Sequence, residues 1–495
     1  MGRSLSVAVQ AGEPRRWWWL ALALTVLVLA LAGWRSRGFV DLWWTAEWGR
    51  ILLHPGMTPS MLMDAQGHSL DPWSWLGALL SWLALSGTGF ERMGPVLLQV
   101  LAWAALALAL RQLLKPRGEG PAALLVTSAV LLTPALVQSV LFARVDALAL
   151  ALVVGGLAVA EMTALRTTRS WLRNSGVGYA LCCAAPFVWP SATILAFLCT
   201  WHFVQQVRGA AAREGNSVYL QALRLGWLPA AGLLVLALPL LLRGWSDMWA
   251  VVPTMPWSRL HVTLYNAMLA SPLSFPLFAV AAIAALAPAN RGLLWWTVPA
   301  VLYAARFGFY DWRLIYLLPY AALLLVQALR SDQWTWLRRL VAPMLIALLG
   351  FFLLHLGWRF TLVPPRTEHS LRTALEARMQ GMPGRVRIMD LSWDFYAPAL
   401  RAGHTVLRPW AAIEMAALAP WLRQHRADLV INFARDTWVF RGASSWTPLL
   451  TGAGYCRDAG EWLPIAAPTI EGDERWGIFP DYGPYETWRP CELRP

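Results

Sequence analysis

Charge is scarce in this chain, and lysine is almost missing. Only 14% of its 495 residues are charged, against roughly 25% in soluble domains, which excludes an ordinary water-soluble protein. Lys115 is the only lysine, so arginine carries the rest of the basic charge. No CxxC pair and no Cys/His spacing suited to zinc occurs, which removes redox-motif and zinc-domain classes. An internal repeat is also absent, which argues against a transporter built from two related halves. What is abundant is apolar: 58% of the chain is hydrophobic and 32 residues are tryptophan. Most tryptophans stand near the ends of apolar runs, where an amphipathic ring prefers the headgroup zone. The chain reads as an integral membrane protein.

A net charge of +13 would suggest nucleic acid in a soluble protein. Here it divides by region. From Arg359 onward 16 arginines face 15 carboxylates, so all but one unit of the excess belongs to residues 1–358. There the arginines concentrate in short loops between apolar runs, as membrane topology requires. The five cysteines divide in the same way. Cys182, Cys183 and Cys199 lie in apolar segments and read as small hydrophobes. Cys456 and Cys491 lie in the polar C-terminal part, where a disulfide would form if that part faces an oxidising compartment.

A crossing helix needs about 20 apolar residues. Residues 17–33, 95–114, 121–141, 147–165, 227–242, 272–286, 293–305, 314–329 and 340–358 qualify as membrane runs. The first reads as a retained anchor, because it opens on Trp17–Trp19 and no convincing small-residue cleavage site follows. Residues 179–204, broken by Pro186 and Pro190, are expected to form a hairpin of two short helices, and residues 72–85 an interfacial helix. With these choices every basic loop falls on the side of Arg3, Arg15 and Arg16. The sequence thus predicts a polytopic α-helical membrane protein with about eleven passes, N-terminus inside and C-terminus outside. Residues 1–363 form the membrane domain, with a first outer loop over 34–72. Residues 364–495 form an outward α/β domain. In that domain 385–390 and 428–433 read as buried strands, 405–407 as a weaker third and 411–426 as a helix; no Gly-rich phosphate loop is found there.

The outer side then collects the polar residues able to do chemistry. Asp41 follows the first apolar helix directly, with Glu47 six residues later and Asp64, His68 and Asp71 further along the loop. Arg144 and Asp146 flank the next outer turn, Arg259 and His261 lie in the loop 243–271, and Arg306, Asp311 and Arg313 separate two late helices. A carboxylate at membrane depth costs free energy unless it is solvated, paired or ion-bound. Asp41 and Asp146 are therefore the prime candidates, as a general base or as oxygen ligands to a divalent cation. Arginine forks suit phosphate oxygens, and tryptophan faces suit sugar rings. Each residue also has a plainer reading: Asp41 as a helix cap, Arg144 with Asp146 as a local ion pair closing a turn, and Arg306 and Arg313 as snorkelling anchors.

This layout resembles the GT-C superfamily of membrane glycosyltransferases that use polyprenyl-phosphate-linked sugars. The resemblance rests on a first helix running into an outer loop that begins with an acid, Asp41. Two interfacial helices follow, near 45–53 and 72–85. A second outer turn, Arg144-Val145-Asp146, then supplies another acid, and a helical hairpin and an outward soluble domain complete the likeness. It implies that Asp41 is the catalytic base or orients the acceptor, and that Asp146 assists it or helps hold a Mg or Mn ion. Glu47, Arg144, Arg259 and His261 are then expected to contact substrate, and Arg306 and Arg313 the lipid phosphate. The implied donor is an undecaprenyl- or similar polyprenyl-phosphate sugar. The acceptor would be a lipid, a glycan or a protein, outside a bacterial cytoplasmic membrane. A non-catalytic polysaccharide assembly or export component and a ligase or polymerase of lipid-linked glycans stand as the alternatives.

Overall fold

The computed structural model describes residues 14–35, 40–53, 74–117, 120–163, 168–215, 274–306, 314–330 and 336–361 of the helical part, with positions 232 and 235. In the C-terminal part it describes 368–407 except 381, 383 and 393, then 420–433 except 421, 447–462 and 485–493. The helices are α1 (Pro14–Arg35), α2 (Val40–Leu53), α3 (Trp75–Gly87), α4 (Met93–Leu114), α5 (Gly120–Leu131), α6 (Pro134–Leu141), α7 (Asp146–Thr163), α8 (Thr168–Val188) and α9 (Ala196–Glu214). After the expected run 227–242, which lies outside the described residues, come α10 (Phe275–Ala285), α11 (Arg291–Arg306), α12 (Leu318–Arg330) and α13 (Arg338–Thr361).

Apolar side chains cover the outside of these helices. On α1, Leu20, Leu24, Leu27 and Leu31 are exposed, and on α4, Leu97, Leu101 and Leu108. These spacings mark one stripe per helix, which water would not tolerate and lipid would. Among the described residues two helices are long and apolar enough to cross a membrane, or four if two bent pairs each count as one. One of those pairs corrects an expectation. Residues 121–141 do not form a straight span: the chain bends by 53° between Leu131 and Pro134, because Pro134 cannot continue the hydrogen-bond ladder of the preceding turns. The break near Pro190 is present as a 3-10 segment, Pro190–Leu195, but its flanking helices α8 and α9 are long.

Small residues bring the helices together. A side chain on Gly156 of α7 would collide with the Gly178 carbonyl of α8, and one on Gly178 with the Gly156 carbonyl. Close backbone approach at such pairs is the usual basis of helix association in lipid. Gly49 of α2 meets the Ala78 carbonyl of α3 in the same way. Arg92 donates to the Trp34 carbonyl over 2.7 Å, and to that of Gly33, so the last carbonyls of α1 are capped from the start of α4.

The C-terminal part is built on α14 (Glu368–Arg378), α15 (Tyr396–Arg401) and α16 (Thr447–Gly452). Its strands are β1 (Arg387–Asp390), β2 (Thr405–Leu407), β3 (Leu429–Phe433), β4 (Tyr455–Trp462) and β5 (Tyr485–Pro490). The five strands pair in the order β2-β1-β3-β5-β4. The first three are parallel, and β5 and β4 add antiparallel. The alternation of strand side chains sends Ile388, Leu429 and Ile431 into the core shared with the helices. Met389 and Val430 go to a second cluster with Leu450, Tyr455 and Trp488. The three expected strands are present, whereas most of the expected helix 411–426 lies outside the described residues. Cys456 and Cys491 are joined in a disulfide, with Cα atoms 4.9 Å apart.

Candidate active site

The turn between α6 and α7 places Asp146 at the first position of α7, where the helix dipole favours a carboxylate. Ala143 in this turn adopts φ +56°, a left-handed conformation uncommon for residues with a Cβ, and Arg144 folds back as a result. Its Nε donates to Asp146 Oδ2 over 2.8 Å. Ser139 Oγ of α6 donates to the same oxygen over 3.1 Å. Tyr316, in the 3-10 turn Ile315–Leu317 before α12, donates its hydroxyl to Oδ1 over 2.8 Å. The Arg144 guanidinium also lies 5.5 Å from the Trp189 ring centroid, a cation–π distance. Asp146 is fully buried and Arg144 is 4% exposed.

The two oxygens of Asp146 receive three donors, one of them a guanidinium. Asp146 is thus a buried, paired carboxylate at the start of α7. Among the described residues no group of three His, Cys, Asp or Glu side chains could hold a metal. Arg144 is buried between Asp146 and Trp189.

Glu47 is also fully paired within the protein. Its side chain is fully buried and accepts from Arg50 Nε over 2.8 Å. The Tyr396 hydroxyl of α15 donates to Glu47 as well, and the Tyr396 ring lies 5.7 Å from that of Trp43. Burial, then the neighbouring carboxylate, pushes the Tyr396 phenol well above its ordinary range, so it stays a donor. Asp390 sets Tyr396 in place by accepting the Phe395 N–H at the start of α15 over 2.9 Å. Arg401 at the far end of α15 pairs with Glu91 over 2.8 Å. Glu47 thus ties α2 to the C-terminal part.

Asp41 lies in the first turn of α2. Its side chain, that of Arg306 at the end of α11, and all of Arg259, His261 and Arg313 lie outside the described residues, as do Asp64, His68, Asp71 and Asp311. The described site is therefore a scaffold. The C-terminus of α1, helix α2, the α6–α7 turn and the docked sheet gather at one end of the bundle. Sequence reasoning did not find Ser139, Trp189, Tyr316 or Tyr396. Trp189, Tyr316 and Tyr396 are distant in the chain from their partners, Ser139 lies within an apolar run, and nothing local distinguishes any of them from core or interface residues.

The opposite end carries a second polar group that the sequence reading passed over. Glu161 at the end of α7 accepts from Arg117 over 2.8 Å and from Gln206 over 3.0 Å, and lies 2.8 Å from His202 Nε2. His202 Nδ1 meets the Tyr179 hydroxyl at 2.9 Å. Fifteen residues of α7 separate Asp146 from Glu161, about 22 Å at 1.5 Å per residue.

No protein-family model and no curated protein matches the chain by sequence. Solved structures do match its fold. ArnT from Cupriavidus metallidurans bound to undecaprenyl phosphate superposes with a TM-score of 0.54 at 12% identity, over 84% of this chain and 92% of that one. The same protein in the apo state gives 0.54 at 10% identity, over 97% and 99%. The archaeal oligosaccharyltransferase AglB from Archaeoglobus fulgidus, in complex with an inhibitory peptide and a dolichol-phosphate, aligns at 0.48 and 13% identity, over 85% of this chain and 70% of that one. The fold is of the GT-C type that the order of acids and helices implied.

Proposed function

We propose that this chain is a GT-C-type glycosyltransferase. It moves a sugar from a polyprenyl-phosphate carrier to a lipid, glycan or protein acceptor at the outer face of a bacterial cytoplasmic membrane. The observation that carries this reading is a fold shared almost end to end with ArnT, a protein crystallised with undecaprenyl phosphate. In this reading the membrane domain crosses about eleven times, and the Asp146 end with its docked sheet faces outward. Lys115, Arg117, Arg208, Arg291 and Arg330, all exposed or half-buried near helix ends, supply the basic inner face that topology favours.

Asp41 is the proposed base. The acceptor hydroxyl or amine gives its proton to the Asp41 carboxylate while its oxygen or nitrogen bonds to the anomeric carbon. The sugar–phosphate C–O bond breaks and the lipid phosphate leaves with the electron pair, toward Arg306 and Arg313. Asp146 and Glu47 act as positioning residues. Glu47 lies six residues, about 9 Å, further along the helix that carries Asp41. Asp146 fixes the turn beside it through Arg144, Ser139 and Tyr316.

The complete pairing of Glu47 and Asp146 also suits a second reading, a non-catalytic envelope assembly component. Asp41→Asn separates the two. General-base removal costs about 10²–10⁴ in rate, so Asp41→Asn at wild-type protein levels is expected to abolish the glycan product in a strain whose surface glycans are profiled. A profile identical to wild type would sink the enzymatic reading.

A further inference from the structure

A cavity of about 400 Å³ opens at the Arg117 end of the bundle, some 22 Å by helix rise from the Asp146 turn. That volume falls within the range of small-molecule sites, roughly 300–1,000 Å³. Its polar wall consists of Arg117, Arg330, Gln205 and Gln327, with the Trp201 ring and Gly292 completing it. Among the described residues no carboxylate lines it. Two pairs present their side chains from one helix face by spacing alone: Trp201 with Gln205 on α9, four residues apart, and Gln327 with Arg330 on α12, three apart.

The two arginines differ in what they have left to offer. Arg117 spends one N–H on the Leu113 carbonyl and one on Glu161, leaving three of the five guanidinium donors. Glu161 holds it in place from the end of α7. Arg330 is exposed and pairs with no carboxylate among the described residues. The amides of Gln205 and Gln327 add further donors. Gly292 lies in the first turn of α11, so the positive end of that helix dipole adds to the field. Forked cationic donors and neutral amide donors match the oxygens of a phosphate, with Glu161 taking up only one of the Arg117 donors. The cavity opens among apolar helices whose outer faces suit lipid, and basic pockets between membrane helices on the inner side are where anionic headgroups bind.

We propose that this cavity is a binding site for a phosphate-bearing anion, the headgroup of an anionic phospholipid or free phosphate. It is separate from the transfer site and independent of whether the chain catalyses transfer. Arg330 and Arg117 take the phosphate oxygens, and Gln205 and Gln327 complete the coordination. Occupancy would brace α9, α11, α12 and the end of α4 against one another.

The test uses the purified full-length chain in detergent micelles. Dioleoyl phosphatidylglycerol, dioleoyl phosphatidylcholine and inorganic phosphate are added separately, with thermal midpoint and adducts in native mass spectrometry as readouts. Two variants are compared with wild type. Arg330→Gln removes an unpaired, exposed charge. Gly292→Asp places a carboxylate where an added Cβ meets nothing within 4 Å and where the helix dipole tolerates it, so neither variant threatens folding. Retention of phosphatidylglycerol over phosphatidylcholine, reduced at least tenfold in both variants, is the expected result and identifies the lipid as source. Stabilisation by inorganic phosphate alone, lost in both variants, supports the site with free phosphate as ligand. Equal retention of phosphatidylglycerol by wild type and both variants, with no response to phosphate, would overturn the proposal.

Discussion

Asp146 and Arg144 form a pair from which water is excluded, and their value lies in what happens when one is removed. Neutralising a single member of a buried ion pair leaves the other charge without compensation, at about 3–5 kcal/mol. Asp146→Asn is therefore expected to cost stability of that order, read as a fall in the thermal midpoint of the solubilised protein. Arg144→Gln combined with Asp146→Asn should recover most of the loss, since no lone charge remains; strict additivity of the two losses would show that the residues do not act as a pair. The acid itself was legible in the sequence, because a carboxylate between two apolar runs has few explanations. Its partners were not. Tyr316 lies 170 residues away, and a tyrosine entering an apolar helix reads as an interface anchor until the fold brings it to an oxygen.

Among the elements, α2 and α3 and the first three strands followed from pattern, since tryptophan-rich amphiphilic runs and short Val/Ile/Leu runs have distinctive periods. Strands β4 and β5 did not. The sequence of β4, YCRDAGEW, carries register shifts on either side of Ala459, which destroy the alternation a reader relies on. The junction of β1 and β2 carries a pH response. His404 Nδ1 accepts the Val386 N–H over 3.3 Å, which requires that nitrogen unprotonated. Burial, then Arg385, lowers the pKa of His404, with Glu376 opposing; burial and Arg387 lower that of His425. Folded values below the unfolded value of roughly 6.5 mean that the unfolded chain takes up protons first on acidification. The stability of the sheet is therefore full above that value and falls as pH drops through it. Hydrogen exchange at β1 and β2 amides, corrected for intrinsic rates, should show weaker protection at pH 5.5 than at pH 7.5. Unchanged protection would remove the histidines from the account.

At the scale of the whole molecule, the sheet is held closed by covalent as well as packing forces. The disulfide closes a loop between residues 35 apart in sequence, for which the chain-entropy estimate is about 3–4 kcal/mol. Cys456→Ser with Cys491→Ser should lower the unfolding midpoint of the C-terminal part, and labelling of the reduced thiols by a membrane-impermeant reagent in intact cells reports which side that part occupies. The long apolar runs conveyed the mostly helical plan. The joint between membrane helices and sheet was invisible, because Glu47 and Tyr396 stand 349 residues apart. That separation has a consequence for synthesis. At roughly 5–20 residues per second, the ribosome delivers Tyr396 about 17–70 s after Glu47. Throughout that interval the newborn α2 lacks the hydroxyl that completes its buried carboxylate. A helix made early is thereby finished by one made much later, and a chain truncated before Tyr396 would carry that defect as a mark for proteolysis.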